Sequence, residues 1–488
     1  MKILIICHEF PPVGGGTANA VFYLAKCLKD KEHEVTVITS RLKKASQGQY
    51  DFNVVYLPVL RRHTDRTSPL ELISFTVSGI IYGLAAVRKK KYDVCLAMHG
   101  IPSGWVAFVI YKLFKIPYIV SLRGADVPGF LPQQYDKLHR KVKSLTSLYW
   151  KNAKAIIANS EGLKELADVT ADRIGKLVKV IPNGVDCRIF NPDYSLRDNQ
   201  SIRIIYAGRL TLQKGLEGFI EAVRQAKDRI KNNFNVKIIG NGYLEGHLKN
   251  ISVELCNVDI ITFSDWVDKK TLIEEYKKAH IFILPSFYEG MSNSLLEAMA
   301  CGCMAIASDI PGNRELVKNN ENGVLFDPGN ISKLEDTLVK VLNSGQGIIE
   351  EMGIKNRKIA ENLDWAKAAN SYLEELNTAI TPRQKASPAC PEPLDFARDK
   401  LRRGVKAGMN GAGSGFARAN PAIKDAAAVL RQVVRQAHHH LSHPERSRGA
   451  QDGSKDGERP STSLRTLEVP SVIEGRSRTI KPWSFTKL

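Results

Sequence analysis

The chain has 488 residues, of which 43% are hydrophobic and 25% charged, and its formal net charge is +19. This length suits two or three domains, and the ordinary composition argues against a fibrous or wholly disordered chain. The eight cysteines are scattered without metal-ligand spacing, which favours free thiols in a reducing compartment over a disulfide framework.

Residues 1–190 alternate between short apolar runs and longer amphipathic or apolar stretches, which predicts βαβ units and a parallel sheet. Strands are predicted at 2–7, 34–39, 53–58, 92–98, 118–122, 155–159 and 178–181. The stretches 18–29 and 72–87 lie between strands. We expect no transmembrane helix, because the stretch 72–87 comes closest to one, and Glu71 and Arg88 bound it short of about 18 residues.

Residues 191–200 are polar and predict a linker, after which the alternation resumes. A second sheet is predicted from strands at 202–206, 235–239, 260–263, 280–284, 304–308 and 323–326, with helices at 216–226, 331–342 and 362–378. From residue 381 onward, Pro, Ser, Gly and Arg dominate, with 20 Lys and Arg against 10 Asp and Glu. Such a composition buries little surface and predicts a basic, mostly disordered tail over 381–488.

A glycine-rich loop follows the first predicted strand and includes Gly15 and Gly16. Glycines let the backbone approach a ligand closely, and the helix that follows at Ala18 favours negative charge at its N-terminus. A tight strand-to-helix turn explains the same glycines equally well.

Arg123 and Asp126 follow the strand predicted at 118–122. An arginine cannot act as a general base at neutral pH, but it can donate hydrogen bonds to a hydroxyl or a phosphate oxygen. The alternative is an ion pair between Arg123 and Asp126.

Arg209 and Lys214 follow the strand predicted at 202–206. A guanidinium and an ammonium in one loop suit a pyrophosphate, and cations there would stabilise charge that develops on a leaving diphosphate. A solvated basic turn is the alternative.

Glu289 and Glu297 flank a predicted strand end and helix start, with the helix beginning near Ser292 or Asn293. Ligands of doubly wound sheets bind at the carboxyl ends of strands, and carboxylates accept hydrogen bonds from sugar and ribose hydroxyls. The spacing alone is also compatible with two unrelated acids on a solvated helix face.

Residues 1 to about 380 resemble the retaining glycosyltransferases of GT-B fold, family 4. The resemblance includes the E-x₇-E pattern of Glu289 and Glu297, the glycine loop, and the segments 159–161, 182–186, 207–215, 239–242 and 311–315. It implies an α/β GT-B fold in which two Rossmann-like domains face a central cleft. The expected divisions are an acceptor-side domain at 1–190, a linker at 191–200, a nucleotide-sugar domain at 201–360, a crossing helix at 361–380 and the tail.

The resemblance implies a hexosyltransferase-type enzyme that takes a sugar from a nucleotide-sugar donor. Uridine diphosphate is the expected leaving group and guanosine diphosphate the alternative. Glu289 would hold the sugar, Glu297 the ribose, and Arg209 with Lys214 the diphosphate. The implied catalytic set is Glu289, Arg209, Lys214 and Arg123, and the implied donor-binding set is Gly15, Gly16, Asp126, Arg209, Lys214, Glu289, Gly290, Met291, Ser292, Asn293, Leu296 and Glu297.

The chain departs from this family at Arg123, where many members carry a histidine that contacts the donor sugar. It has no Asp-x-Asp motif for a divalent metal. We therefore expect no metal and no cofactor. We also expect retention without a carboxylate nucleophile, with the leaving phosphate helping to deprotonate the acceptor.

The expected acceptor is a glycan or a lipid-linked glycan, in surface polysaccharide or glycolipid synthesis. We expect a cytoplasmic protein, peripheral at the inner membrane face, because the basic run at 88–91 ends an apolar helix. An ordinary helix whose basic end complements its own dipole is the alternative. The rival functions are an epimerase or a phosphorylase of the same fold, and a non-catalytic protein that binds nucleotide sugars or nucleic acid. We expect no nucleic-acid partner, because the tail lacks interleaved aromatic residues.

Overall fold

The computed structural model describes residues 1–12, 15–42, 49–61, 67–255 and 259–384. The predicted tail lies outside these residues except for 381–384, which were expected to be disordered and instead continue the last helix. The adjoining polar segment forms helix because it extends a docked amphipathic helix by about one turn.

The first sheet contains seven parallel strands in the order β3-β2-β1-β4-β5-β6-β7. They are β1 (Lys2–Ile6), β2 (Glu34–Ser40), β3 (Asn53–Leu57), β4 (Val94–Met98), β5 (Tyr118–Ser121), β6 (Ala155–Ala158) and β7 (Val178–Val180). Every residue of β4 and β5 is buried, as expected where helices cover both faces of a sheet.

Between these strands in the chain, the described residues form the α-helices α1 (Gly16–Asp30), α2 (Pro69–Lys89), α3 (Trp105–Phe114), α4 (Pro132–Asn152) and α5 (Glu161–Ala171). The start of α2 is fixed by a capping box, in which Ser68 accepts from the Glu71 amide and the Glu71 carboxylate accepts from the Ser68 amide.

The second sheet has six parallel strands in the order β10-β9-β8-β11-β12-β13. They are β8 (Ile202–Ala207), β9 (Phe234–Ile239), β10 (Ile261–Ser264), β11 (Ile281–Leu284), β12 (Met304–Ser308) and β13 (Gly323–Phe326). Its helices are α6 (Leu216–Ala226), α7 (Glu245–Glu254), α8 (Lys269–Lys278), α9 (Asn293–Ala300), α10 (Pro311–Arg314), α11 (Ile331–Asn343) and α12 (Gln346–Asn362).

The helix α12 was not predicted, and the predicted helix 362–378 begins later, at Trp365, as α13 (Trp365–Gln384). The buried face of α12 includes Gly353 and Asn356, and its mostly polar sequence hides the helical periodicity. Gly353 is required there, because a Cβ would lie 2.1 Å from the Gly302 carbonyl oxygen.

The chain passes twice between the two sheets, and the two passes pair with each other. The Val185 amide donates to the Leu363 carbonyl at 2.8 Å, and Val185 forms a parallel bridge with Asp364. The final helix α13 then packs against α1, where the rings of Trp365 and Tyr23 stack with centroids 5.7 Å apart. The two passes between the sheets are therefore joined to each other beside the cleft.

Candidate functional site

The predicted site residues lie on loops and helix starts that follow the carboxyl ends of parallel strands in both sheets. In the second sheet, β8 and β11 are direct neighbours, so the loops after them meet. Such edges are where ligands bind in doubly wound folds.

Lys214 and Glu289 form an ion pair across these two loops. The Lys214 Nζ lies 2.5 Å from the Glu289 Oε1, and their side chains are only 13% and 10% exposed. The loops are fastened together, since the Phe287 amide donates to the Gln213 carbonyl at 2.8 Å and the Gln213 amide group donates to the Tyr288 carbonyl at 2.6 Å. The structure therefore brings two predicted catalytic side chains together in a fixed arrangement.

Arg209 follows β8 on the same edge. Its carbonyl accepts a hydrogen bond from the Tyr206 hydroxyl at 2.9 Å. The next loop is close enough that the Leu210 amide donates to the Asn241 carbonyl at 2.9 Å. At Gly240, with φ of 141°, a Cβ would lie 1.9 Å from the Gly208 carbonyl oxygen. This close approach requires glycine and fixes the loop that carries Arg209.

The helix α9 begins beside Glu289, as predicted. Ser292 is the N-cap, and its hydroxyl accepts from the Leu295 amide at 3.3 Å. The loop amides of Gly290 and Met291 precede this positive end of the helix. Leu296 was predicted to contact the donor. It is fully buried in the hydrophobic core around the second sheet, which favours a packing role.

Glu297 lies one turn inside α9 and is 8% exposed. Burial raises the pKa of its carboxyl to about 7, and the Lys269 ammonium opposes that rise. The Lys269 ammonium contacts the Tyr23 hydroxyl and lies 4.2 Å from the centroid of the Tyr23 ring. Glu297 also lines a narrow crevice whose other lining residues are Asn19, Tyr23, Gly184, Val185, Asp186, Phe190, Asn293 and Trp365.

On the first sheet, Arg123 follows β5 and does not pair with Asp126. The Arg123 Nη1 donates to the Asn183 Oδ1 at 2.6 Å, and Nη2 contacts the Met98 sulfur at 3.8 Å. The alternative of an Arg123–Asp126 ion pair is therefore wrong, because the carboxylate is engaged by backbone amides.

The Asp126 carboxylate accepts from three amides, those of Arg123 and Gly124 at 2.9 Å each and that of Gly100 at 2.6 Å. It is 4% exposed. Asp126 therefore holds the loops after β4 and β5 together, and its predicted contact with the donor stays a prediction.

The glycine loop reaches across the cleft to α9. Gly15 has φ of 147°, and the Gly16 carbonyl accepts from the Asn293 side-chain amide at 2.8 Å. Residues 13 and 14 of this loop lie outside the described residues. The structure thus brings Gly16 and the predicted donor helix into direct contact.

A polar cluster that was not predicted lies after β1 and β4 and is formed by His8, Glu9, Thr17 and His99. The two imidazole rings lie 4.8 Å apart, and the His99 Nε2 is 3.3 Å from the Thr17 hydroxyl. Burial holds the pKa of His8 well below its usual value, assisted by His99 and Arg61. Polar residues placed directly after buried strands were the available signal.

Lys269 was not predicted to belong to the site, and Asn183 was indicated only as part of the segment 182–186, without a role. Both act across elements that are distant in the chain, so no local pattern indicates their contacts.

Comparisons with known proteins agree with this architecture. A family described as Glycosyltransferase Family 4 matches residues 14–188, and one described as Glycosyl transferases group 1 matches residues 189–362.

Similar curated proteins include an uncharacterized glycosyltransferase of Methanocaldococcus jannaschii, which is 27% identical over 78% of this chain and 99% of its own length. Another is the UDP-Gal:alpha-D-GlcNAc-diphosphoundecaprenol alpha-1,3-galactosyltransferase of Escherichia coli, 29% identical over 70% of this chain and 88% of its own length.

Among solved structures, a sucrose-phosphate synthase from Thermosynechococcus elongatus matches 78% of this chain and 100% of its own, with a TM-score of 0.68 and 19% identity. The Anabaena protein HepE, solved with UDP and glucose, matches 78% of this chain and 100% of its own, with a TM-score of 0.61 and 17% identity. These likenesses show that the two-sheet architecture is the GT-B fold.

Proposed function

The chain is a glycosyltransferase with the GT-B fold, and we propose that it transfers a sugar, with retention of anomeric configuration, from a UDP-sugar to a hydroxyl of a glycan or lipid-linked acceptor. Surface polysaccharide or glycolipid synthesis is the setting that this acceptor class implies.

The Lys214–Glu289 pair carries the proposal. Two oppositely charged side chains, mostly buried and 2.5 Å apart, stand beside the start of α9. A donor that enters here offers a partner to each of them, because its diphosphate attracts the ammonium and its sugar hydroxyls donate to the carboxylate. When the donor binds, the Lys214–Glu289 ion pair is replaced by one ligand contact to each side chain, so both buried charges keep a partner.

Arg209, Lys214 and the N-terminus of α9 supply positive charge where the leaving diphosphate gains negative charge. Such groups stabilise the transition state more than the ground state, since the charge develops during bond cleavage. In this proposal they neutralise the leaving group without a bound metal.

Retention follows if the acceptor attacks from the face that the diphosphate leaves. An arginine is not a general base near neutral pH, and in this proposal the departing phosphate oxygen takes the acceptor proton. Atoms balance because the sugar–phosphate bond breaks, the sugar–acceptor bond forms, and the proton leaves with the diphosphate. Arg123 donates hydrogen bonds and takes no proton.

The choice of uridine is supported by the relatives and structures whose names include UDP. The ribose would bind Glu297, because an ionised carboxylate accepts hydrogen bonds from two neighbouring hydroxyls. Guanosine diphosphate is the alternative leaving group.

The acceptor would enter over the first sheet, where His8, Glu9 and His99 surround the strand ends. These side chains can donate to or accept from the hydroxyls of a glycan. The Escherichia coli relative acts on a sugar linked to diphosphoundecaprenol, which supports a lipid-linked acceptor.

Helix α2 supports a peripheral membrane location. By length and composition it is apolar enough to span a membrane, with a mean hydropathy of 1.8, although core helices of other proteins meet the same criterion. Its face includes Ile81 and Tyr82, which are 59% and 45% exposed, and it ends at Arg88 and Lys89. An exposed apolar face with a basic end suits an anionic membrane surface.

Product analysis tests this function. The protein would be incubated with UDP-sugars, first alone and then with lipid-linked glycans, and the product anomer would be assigned by NMR before it equilibrates. We expect release of UDP and a sugar product with the donor's anomeric configuration. Inverted products would overturn the retaining mechanism, and absence of turnover with every donor and acceptor would overturn the proposal.

A further inference from the structure

Asn183 sits at the centre of a hydrogen-bond network that joins both sides of the cleft. Its Oδ1 accepts from the Arg123 Nη1 at 2.6 Å, and its Nδ2 donates to the Met291 carbonyl at 3.2 Å and to the Asn293 Oδ1 at 2.8 Å. The Asn293 Nδ2 continues the network to the Gly16 carbonyl at 2.8 Å. Four separate chain segments therefore share one set of contacts.

The chemistry of the network requires an asparagine at position 183. The side-chain amide has one acceptor oxygen and two N–H donors, and here the oxygen and both donors have partners. Aspartate would keep the contact with Arg123 but would oppose its oxygens to the Met291 carbonyl and the Asn293 oxygen. Because Asn183 is only 4% exposed, water cannot readily replace a lost partner.

The backbone around Asn183 is held by the paired chain passes. A Cβ on Gly184 would lie 2.4 Å from the Trp365 amide nitrogen, so the two chain passes touch here. The next residue, Val185, donates to Leu363 at 2.8 Å. Because these contacts fix the backbone at this point, Asn183 is placed to keep its partners aligned.

Arg123 depends on Asn183 for its orientation. Its guanidinium has no ion-pair partner among the described residues. Besides the bond to Asn183, it donates a hydrogen bond to the Met98 sulfur, which is a weak acceptor. The short bond to Asn183 is therefore the main restraint on the direction of the guanidinium.

We infer that Asn183 is a positioning residue for the transfer reaction, which aligns Arg123 of the first domain with the loop and helix of the second domain that hold the donor. The inference rests on the proposed function for the roles of Arg123 and of the donor loop. Asn183 itself touches no reacting atom in this account.

The first test is hydrogen–deuterium exchange on the full chain without ligand, comparing Asn183→Ala with Asn191→Ala. Asn191 is a matched control, because it lies in the same crossing segment and its amide donates to the Arg188 carbonyl. We expect Asn183→Ala to accelerate exchange in residues 15–20 and in residues 290–297, whereas Asn191→Ala changes neither. Acceleration confined to residues next to 183 would overturn the inference.

If Asn183→Ala does not fold, Asn293→Ala replaces it in the hydrogen–deuterium exchange test. It removes the link to Gly16 and leaves the Arg123–Asn183 bond in place. We expect faster exchange in residues 15–20 and unchanged exchange near Arg123. Unchanged exchange in residues 15–20 would contradict the network.

Kinetics separate this inference from the proposed function. We expect Asn183→Ala to lower kcat about tenfold or more, with the donor KM within about twofold, because alignment rather than donor binding is lost. Normal kcat in this variant would refute the inference while the transferase activity stands. If Asn183→Ala accelerates hydrogen–deuterium exchange in residues 15–20 and 290–297, but the parent turns over no donor, the network is supported and the proposed function is refuted.

Discussion

The two sides of the cleft differ in how the ionisable side chains near the strand ends are partnered. On the second sheet, Lys214 and Glu289 are already paired at 2.5 Å, and Ser292 caps its helix. On the first sheet, the Nδ1 atoms of His8 and His99 are buried without a hydrogen-bond partner among the described residues. A buried polar group without a partner is costly, so these nitrogens are places where a ligand oxygen or water would bind.

Under the proposed function, this difference means that the donor side presents charges already held by each other, whereas the acceptor side offers unpaired nitrogens to its ligand. Fixed charges suit a diphosphate, which UDP- and GDP-sugars share. The His8 and His99 nitrogens without a partner suit an acceptor, whose structure varies from one glycosyltransferase to another. The following predictions test the two sides against each other.

Lys214→Ala and Arg209→Ala should have the largest effects, because each removes positive charge from the leaving diphosphate. We expect kcat to fall about 10²- to 10³-fold, as for other groups that stabilise transition-state charge. Lys231→Ala, an exposed lysine of the same domain, is the control and should be normal. Steady-state kinetics would be repeated with a chelator, and loss of the parent's activity there would contradict metal independence.

Glu289→Ala and Glu297→Ala should have different effects, one on turnover and the other on UDP binding. We expect Glu289→Ala to lower kcat about 100-fold with UDP affinity within about threefold, since Glu289 is assigned to the sugar. Glu297→Ala should weaken UDP binding about tenfold or more, through loss of hydrogen bonds to a charged acceptor. Calorimetric titration measures both, and equal losses of UDP affinity in the two variants would remove the assignment.

The donor side should also respond to pH through Glu297. Burial raises the pKa of this carboxyl to about 7, so the ligand-free protein keeps it protonated at lower pH. Since the ribose needs the carboxylate as acceptor, affinity for a UDP-sugar should rise from pH 6 to pH 7.5, by at most about tenfold per unit. Glu297→Gln should bind more weakly and show no such slope. A UDP-sugar is used because a terminal phosphate titrates near pH 6.

The same shift predicts a direction for stability. The native pKa of Glu297 lies above the unfolded value of 4.5, so the native state holds more protons between these values. The contribution of this group to the unfolding free energy is therefore full below pH 4.5 and lost as pH rises through 7. Compared with Glu297→Gln, the parent should lose stability over this window, and denaturant titrations at several pH values would detect it. A parent that gains stability relative to the variant would contradict the buried environment of Glu297.

The first domain should carry any membrane affinity. We expect the protein to float with anionic liposomes at low salt, and Arg88→Glu combined with Lys89→Glu to reduce flotation, at roughly 1 kcal/mol per charge. Lys231→Glu combined with Lys333→Glu changes the second domain by the same charge and is the control. Equal flotation of both double variants, or none by the parent, would remove α2 as the contact.

Removal of residues 385–488 should have the smallest effect. The described part of α13 reaches Gln384, and its packing on α1 includes Trp365 and Leu376. We expect unchanged melting temperature and turnover in the truncated chain. A lower melting temperature or turnover would mean that the tail contributes to the body.

Most of the fold was predictable, because buried parallel strands have continuous apolar sequences. The predicted strands 304–308 and 323–326 match β12 and β13 in both bounds. The helix α12 was missed because Gly353 and Asn356 replace apolar residues on its buried face. A glycine there reflects a close backbone contact, which only the assembled structure reveals.

The site residues were predictable where they belong to one continuous segment of the chain. Glu289 and Ser292 belong to a single strand–loop–helix segment, and the predicted helix start is confirmed. The Lys214–Glu289 pairing joins residues 75 positions apart, so the sequence indicated both residues without indicating their contact. Asn183 and Lys269 act between elements that only the tertiary fold brings together, and no local periodicity identifies them.

A thermal-shift panel of nucleotide sugars tests the central claim most directly, which is that the second domain is a preformed donor site. A ligand at about 100 times its dissociation constant adds roughly 2.7 kcal/mol to stability, which raises the melting temperature measurably. We predict that a UDP-sugar stabilises the parent and, at equal concentration, stabilises Glu297→Ala less. Equal stabilisation of parent and variant, or no stabilisation by any UDP- or GDP-sugar, would contradict the account.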